Sequence, residues 1–204
     1  MSVSREFLFT AFVVALVPGT GVIYTVSAGL FVGRRASAFA ALGGTLGIIP
    51  HLAAAVLGLS AVMQTSAEVF RVMKYAGVAY LLYLAWAMWR STGSLTLRAP
   101  TGARRGRDIV GRGTFINLLN PKLTIFFFAF LPQFVTSGSS TTLQMLELGV
   151  VFMAVTLLVF LAYGGLARLF RDRVVGSPVV LRRLQRGSAG VFALLGLRLA
   201  FEDR

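Results

Sequence analysis

Residues 116–135 read INLLNPKLTIFFFAFLPQFV, a run apolar enough for a bilayer that nevertheless carries Asn120, Pro121 and Lys122 side by side. Proline lacks a backbone donor and clashes with the preceding turn, so a helix stops there. Asparagine is a preferred N-cap, and proline is favoured at the first helical position. The triplet therefore predicts a break followed by a new half-helix running through Phe126 to Phe130. The free N–H groups and positive dipole end of such a half-helix suit an anion. Lys122 adds a full charge one residue on. Irregular backbone at membrane depth persists only when buried in protein or lining a water-filled cavity. A charge at the bilayer centre costs about 3 kcal/mol on insertion scales. The competing reading is a plain kink with Lys122 snorkelling to the interface.

Working outward, the 204-residue chain is 56% hydrophobic with 13% charged residues, and its mean hydropathy is +0.79. A soluble domain rarely exceeds about half apolar, so this is an integral membrane protein. The 22 glycines suit closely packed membrane helices. With no cysteine, disulfides, thiolate nucleophiles and thiolate metal sites are excluded. The net charge of +13 reads as basic membrane-flanking loops rather than nucleic-acid binding.

Hydropathy places six spans near residues 7–32, 36–62, 69–89, 114–135, 143–170 and 178–201. The first is read as retained rather than cleaved as a signal peptide, because its basic start is feeble and the apolar run resumes past Pro18-Gly19. Arginines crowd the connections between spans one and two, three and four, and five and six. That side is then cytoplasmic, with both termini outside. The Gly/Pro/Arg-rich stretch 91–112 divides the chain into repeats at 1–90 and 113–204, forming one membrane domain. Three spans per repeat is odd, so the second repeat runs inverted. The expected fold is all-α, six transmembrane helices as a 3+3 inverted repeat with broken first and fourth helices. In such architectures, interrupted segments at matching positions point to the substrate site.

The matching break in the first repeat is Pro18-Gly19-Thr20-Gly21, where Thr20 is expected to cap a second half-helix. The candidate substrate-binding residues are thus Pro18, Gly19, Thr20, Gly21, Asn117, Asn120, Pro121 and Lys122. His51, the only histidine, and Glu147 are the candidate proton-coupling groups. Imidazole changes charge near neutral pH. The plainer reading of His51 is a neutral core imidazole bonded to a carbonyl freed by Pro50. Glu147 could also be a partner of Lys122, and its plainer reading is interfacial placement. Tyr75, Tyr80, Tyr83 and Trp86 suit an aromatic belt, and Gly43, Gly44 and Gly47 suit close helix approach. An enzyme needs a nucleophile–base pair or metal ligands within the spans, and a metal exporter needs clustered His, Asp or Glu. The sequence supplies neither, so no catalytic residue, metal site or cofactor is expected. A channel built on two broken helices remains the rival to a carrier.

At these residues the chain resembles the LysE/RhtB family of bacterial amino-acid exporters. GTFINLLNPKLTIFFFAFLPQFV, residues 113–135, is very similar to that family's most specific signature. GLFVGRRASAFAALGGTLG (29–47), MKYAGVAYLLYLAWAMWR (73–90) and LQRGSAGVFALLGLRLA (184–200) resemble further family segments. Many members carry Pro-Gly-Pro followed by Asn or Asp at the first break, where this chain has Thr20 and Gly21. Ala85 stands where glycine is common. The resemblance implies a secondary-active exporter, an antiporter moving amino acids or related metabolites against protons. It implies a multi-pass protein of the bacterial inner membrane whose partners are the substrate, protons and lipid, with no nucleic acid and with self-association left open.

Overall fold

Apolar chain in lipid must satisfy each backbone donor within its own segment, and the helix does so locally. The computed structural model describes residues 3–65, 67–90, 97, 105–135, 140–175 and 177–201. Among them every regular element is helical. They are α1 (Arg5–Leu16), α2 (Thr20–Phe31), α3 (Arg34–Leu46), α4 (Ile49–Thr65), α5 (Ala67–Arg90), α6 (Gly106–Leu118), α7 (Pro121–Ile125), α8 (Thr141–Gly165), α9 (Ala167–Phe170) and α10 (Pro178–Phe201). A wide π-helical turn, Phe126–Phe130, and a tight 3-10 turn, Leu131–Phe134, prolong α7, and a second π-turn, Arg171–Val175, follows α9.

Both expected breaks are present. α1 and α2 meet at 57°, and α6 meets the α7 segment at 56°. The expected span 36–62 is itself interrupted at Gly47 and Ile48, although Arg34–Gly58 is long and apolar enough to cross a membrane as one 25-residue unit. Thr141–Gly165 is the other such unit; counting each bent pair as one span brings the total among the described residues to four. α5 and α10, each 24 residues, are long enough but carry more charge and fall outside that count. Most of the linker, 91–112, lies outside the described residues, and its last part, Gly106 to Arg112, already belongs to α6.

Three packings organise the bundle. α3 and α6 run side by side in parallel: a methyl group built on Gly47 would lie 2.6 Å from Thr114 O, and one on Gly43 would strike the Val110 carbonyl. Only glycine permits that approach, as the Gly43-Gly44-Gly47 face predicts. α2 runs parallel to α8, with Gly21 against Phe160 and Gly29 against Gly164 and Ala167. α5 and α10 are antiparallel, with Gly77 near Leu199, Leu81 near Gly196 and the Arg186 guanidinium 5.2 Å over the Trp89 ring. At the other end of this pair, Arg198 Nη2 donates to Glu6 Oε2 at 3.2 Å, joining the start of α1 to the end of α10.

The core lies around the α7 segment. Phe126 stacks on Phe152 of α8 at 4.3 Å, Phe127 meets the same ring edge-on, and Phe7 packs edge-on against Phe134 at 5.2 Å. Phe126, Phe127 and Phe130 are buried. The outer surface is apolar in turn: Phe9, Leu57, Val150, Leu158 and Leu194 are all exposed. Exposed apolar surface on this scale suits lipid rather than water.

Candidate functional site

The second break folds as its residue types dictate. Asn120 takes an extended conformation and its Oδ1 accepts from Lys122 N at 3.1 Å, with Pro121 at the first helical position. The first break differs from expectation. Gly19, not Thr20, is the N-cap of α2; its carbonyl accepts from Ile23 N at 3.0 Å, and no side chain caps the helix. Glycine serves as an N-cap without a side-chain bond. Thr20 is thereby shifted to the first helical turn, where it is exposed.

The two breaks meet. A methyl group built on Gly19 would lie 3.7 Å from Lys122 Nζ and 3.9 Å from Asn120 Nδ2, and one on Gly21 would lie 3.0 Å from Asn117 Oδ1. Asn117 is 1% exposed, so both polar atoms of its amide need partners. Its Nδ2 donates to Gly44 O at 2.6 Å, and its Oδ1 accepts from Asn120 Nδ2 at 3.0 Å. Five of the eight candidate residues, Gly19, Gly21, Asn117, Asn120 and Lys122, therefore touch directly or through one bonded neighbour. Pro18 joins α1 to Gly19 at the same place, and Pro121 is exposed beside Lys122.

Lys122 neither snorkels nor stands free. Its Nζ donates to Val14 O at 2.9 Å and Val17 O at 3.1 Å. These are carbonyls of the last turn of α1, where four acceptors lack intrahelical partners and the dipole is negative. Tyr163 of α8 supplies another donor to the same end, its hydroxyl bonding Leu16 O at 2.7 Å. The end of α6 is treated alike from the opposite side. Its Asn117 carbonyl accepts from His51 Nε2 at 3.2 Å, while His51 Nδ1 lies 3.3 Å from Thr124 Oγ1. A carbonyl only accepts, so Nε2 carries the proton. His51 is buried and bonded to a carbonyl as the plainer sequence reading holds, but the carbonyl is that of Asn117 in α6 rather than one freed by Pro50.

Glu147 is not brought into this cluster. It sits partly buried on α8 and makes no ion pair among the described residues. It is therefore not the partner of Lys122, whose ammonium bonds to backbone. Sequence reasoning missed Tyr163, Thr124 and the α1 carbonyls. It also missed Thr156, 2% exposed with no partner for its hydroxyl among the described residues, one turn from both Phe152 and Phe160 on the buried face of α8. Polar residues inside apolar spans were the available signal for the three side chains. Among the described residues no group of three His, Cys, Asp or Glu is placed to hold a metal.

Two bent apolar helices crossing at a bonded polar cluster, within a bundle clad in hydrophobic side chains, are the build of a membrane transport protein. The LysE type translocator family matches residues 12–203. The chain belongs to that family. It is 31% identical over 194 residues to a protein of Vibrio cholerae known as an uncharacterized membrane protein, covering 95% of this chain and 94% of the other. It is 30% identical, with the same coverage, to the homoserine/homoserine lactone efflux protein of Salmonella typhi. The leucine efflux protein of Enterobacter sp. (strain 638) is 27% identical, over 93% of this chain and 91% of that one. No solved structure matches the chain. The resemblance drawn from residues 29–47, 73–90, 113–135 and 184–200 is thus matched along nearly the whole protein.

Proposed function

We propose that this protein is a secondary-active exporter of amino acids or closely related metabolites across the bacterial inner membrane, coupled to protons, with its substrate site where the two breaks cross. The observation that carries this reading is the meeting of Gly19 with Lys122 and Asn120, residues about a hundred positions apart in sequence. The relatives named for homoserine and leucine efflux support amino acids as the substrate class. Several features favour the six-span inverted repeat. The two breaks bend almost equally. The second span of one half packs on the first span of the other in both directions, in parallel, and the two third spans pack antiparallel. The Arg198–Glu6 pair supports termini on one side.

The α1–α2 break sets a carbonyl-rich helix end beside an uncapped N–H-rich one. Opposite partial charges a few ångströms apart suit a zwitterion. In this reading Lys122 and the start of α2 take the substrate carboxylate. His51 is favoured over Glu147 for proton coupling because Thr124 can reverse its hydroxyl. A neutral His51 accepts from Thr124 at Nδ1, and a protonated one donates to it, with the Asn117 bond kept in both states.

Proteoliposomes loaded with radiolabelled amino acids test the function. An imposed proton gradient should release at least one of them, and a panel with no gradient-driven efflux would refute proton-coupled export. A carboxyl-amidated analogue of the released compound should move poorly, and equal transport would remove Lys122 and α2 from carboxylate recognition. His51→Gln should keep counterflow exchange and lose gradient-driven efflux. Retention of gradient drive would exclude His51.

A further inference from the structure

We infer that the carbonyl end of α1, formed by Val14 O and Val17 O, is the subsite for the substrate's α-ammonium group, and that Lys122 occupies it as a tethered stand-in when substrate is absent. The inference rests on the proposed substrate site and adds a second pole to it. The geometry already displays the chemistry: a primary ammonium on a methylene carbon sits 2.9 and 3.1 Å from two backbone oxygens. A substrate ammonium presents the same three donors to the same acceptors. Among the described residues no carboxylate holds Lys122 in place, so only dipolar partners must be exchanged. The cluster is partly exposed at Pro18, Gly19, Asn120 and Lys122, which leaves a way in. Tyr163 keeps Leu16 O satisfied whichever ammonium is bound.

Exchange then couples the two poles of the substrate. As the incoming ammonium takes Val14 O and Val17 O, Lys122 is released toward the incoming carboxylate, next to the uncapped start of α2 at Gly19. A ligand with an ammonium but no carboxylate cannot compensate Lys122 for leaving, so simple amines should not bind the wild-type protein.

Truncating the tether tests this. Lys122→Ala removes the three methylenes and nitrogen that n-propylammonium would restore. Millimolar n-propylammonium should raise the melting temperature of purified Lys122→Ala by a few degrees through preferential binding to the folded state, leave wild type unmoved, and have no counterpart with n-propanol. A folded Lys122→Ala that does not respond to n-propylammonium overturns the inference. Should the variant aggregate on its own, solubilisation with n-propylammonium present should recover monodisperse protein, and failure to recover it is equally contrary. Neither result touches the carboxylate assignment, which the amidated analogue tests alone.

Discussion

At the scale of single residues, the environment of Lys122 changes what its removal should do. A buried charge without partners is destabilising, and its deletion often helps. Lys122 instead completes two carbonyls of α1. Lys122→Met should therefore lower stability by about 2 kcal/mol, the order expected for buried acceptors left unmet, as well as abolish efflux. Thermal unfolding in detergent beside a transport assay reads both; wild-type values in each would return Lys122 to the interface. Thr156 makes the opposite case. Its hydroxyl is buried and unbonded among the described residues, so Thr156→Val, nearly equal in shape, should stabilise by about 1 kcal/mol. A melting temperature that falls would show that the hydroxyl has a partner in the working protein.

At the scale of elements, the proposed substrate site lies in the breaks. A methyl group on Gly19 makes only ordinary contacts, and its φ of −115° suits any residue. Replacing both Pro18 and Gly19 with alanine should let α1 and α2 join, since alanine favours helix far more than either. Stability should hold or rise while efflux falls; unimpaired efflux would exclude the bend from the transport cycle. The breaks were legible in sequence because proline, glycine and asparagine act on their immediate backbone. Asn120 and Pro121 behave as their types require, and α10 spans the expected residues. Thr20 misled, because glycine beside it was an equally able cap and the choice depends on where the chain bends. What could not be read was the capping of α1 by Lys122 and Tyr163, over separations of 105 and 147 residues. Backbone carbonyls look alike in every sequence, so only tertiary structure shows which side chain reaches them.

At the scale of the whole molecule, topology gives the most direct check. Arg107, in the first turn of α6, and Ser140, the N-cap of α8, are both exposed. The chain has no cysteine, so Arg107→Cys and Ser140→Cys can each be labelled alone. Under the inverted-repeat reading, Arg107→Cys reacts only from the cytoplasm and Ser140→Cys only from outside. Labelling of both from one face would remove the inverted repeat and, with it, the matched placement of the two breaks.

The reciprocal capping of α1 and α6 bears on how the protein is made. During synthesis the first half enters the bilayer before Lys122 and Tyr163 exist, so the severed end of α1 waits with open carbonyls. The second half holds a local donor for its Asn117 carbonyl, Asn120 N at 3.1 Å, and gains His51 as a second. The first half does not hold the donors its own bend uses, and insertion and maturation become separate events. Cells producing residues 1–97 or 98–204 alone should degrade each fragment, whereas both together should accumulate a stable pair. A first half that persisted by itself would mean that water or lipid headgroups serve the open helix end well enough.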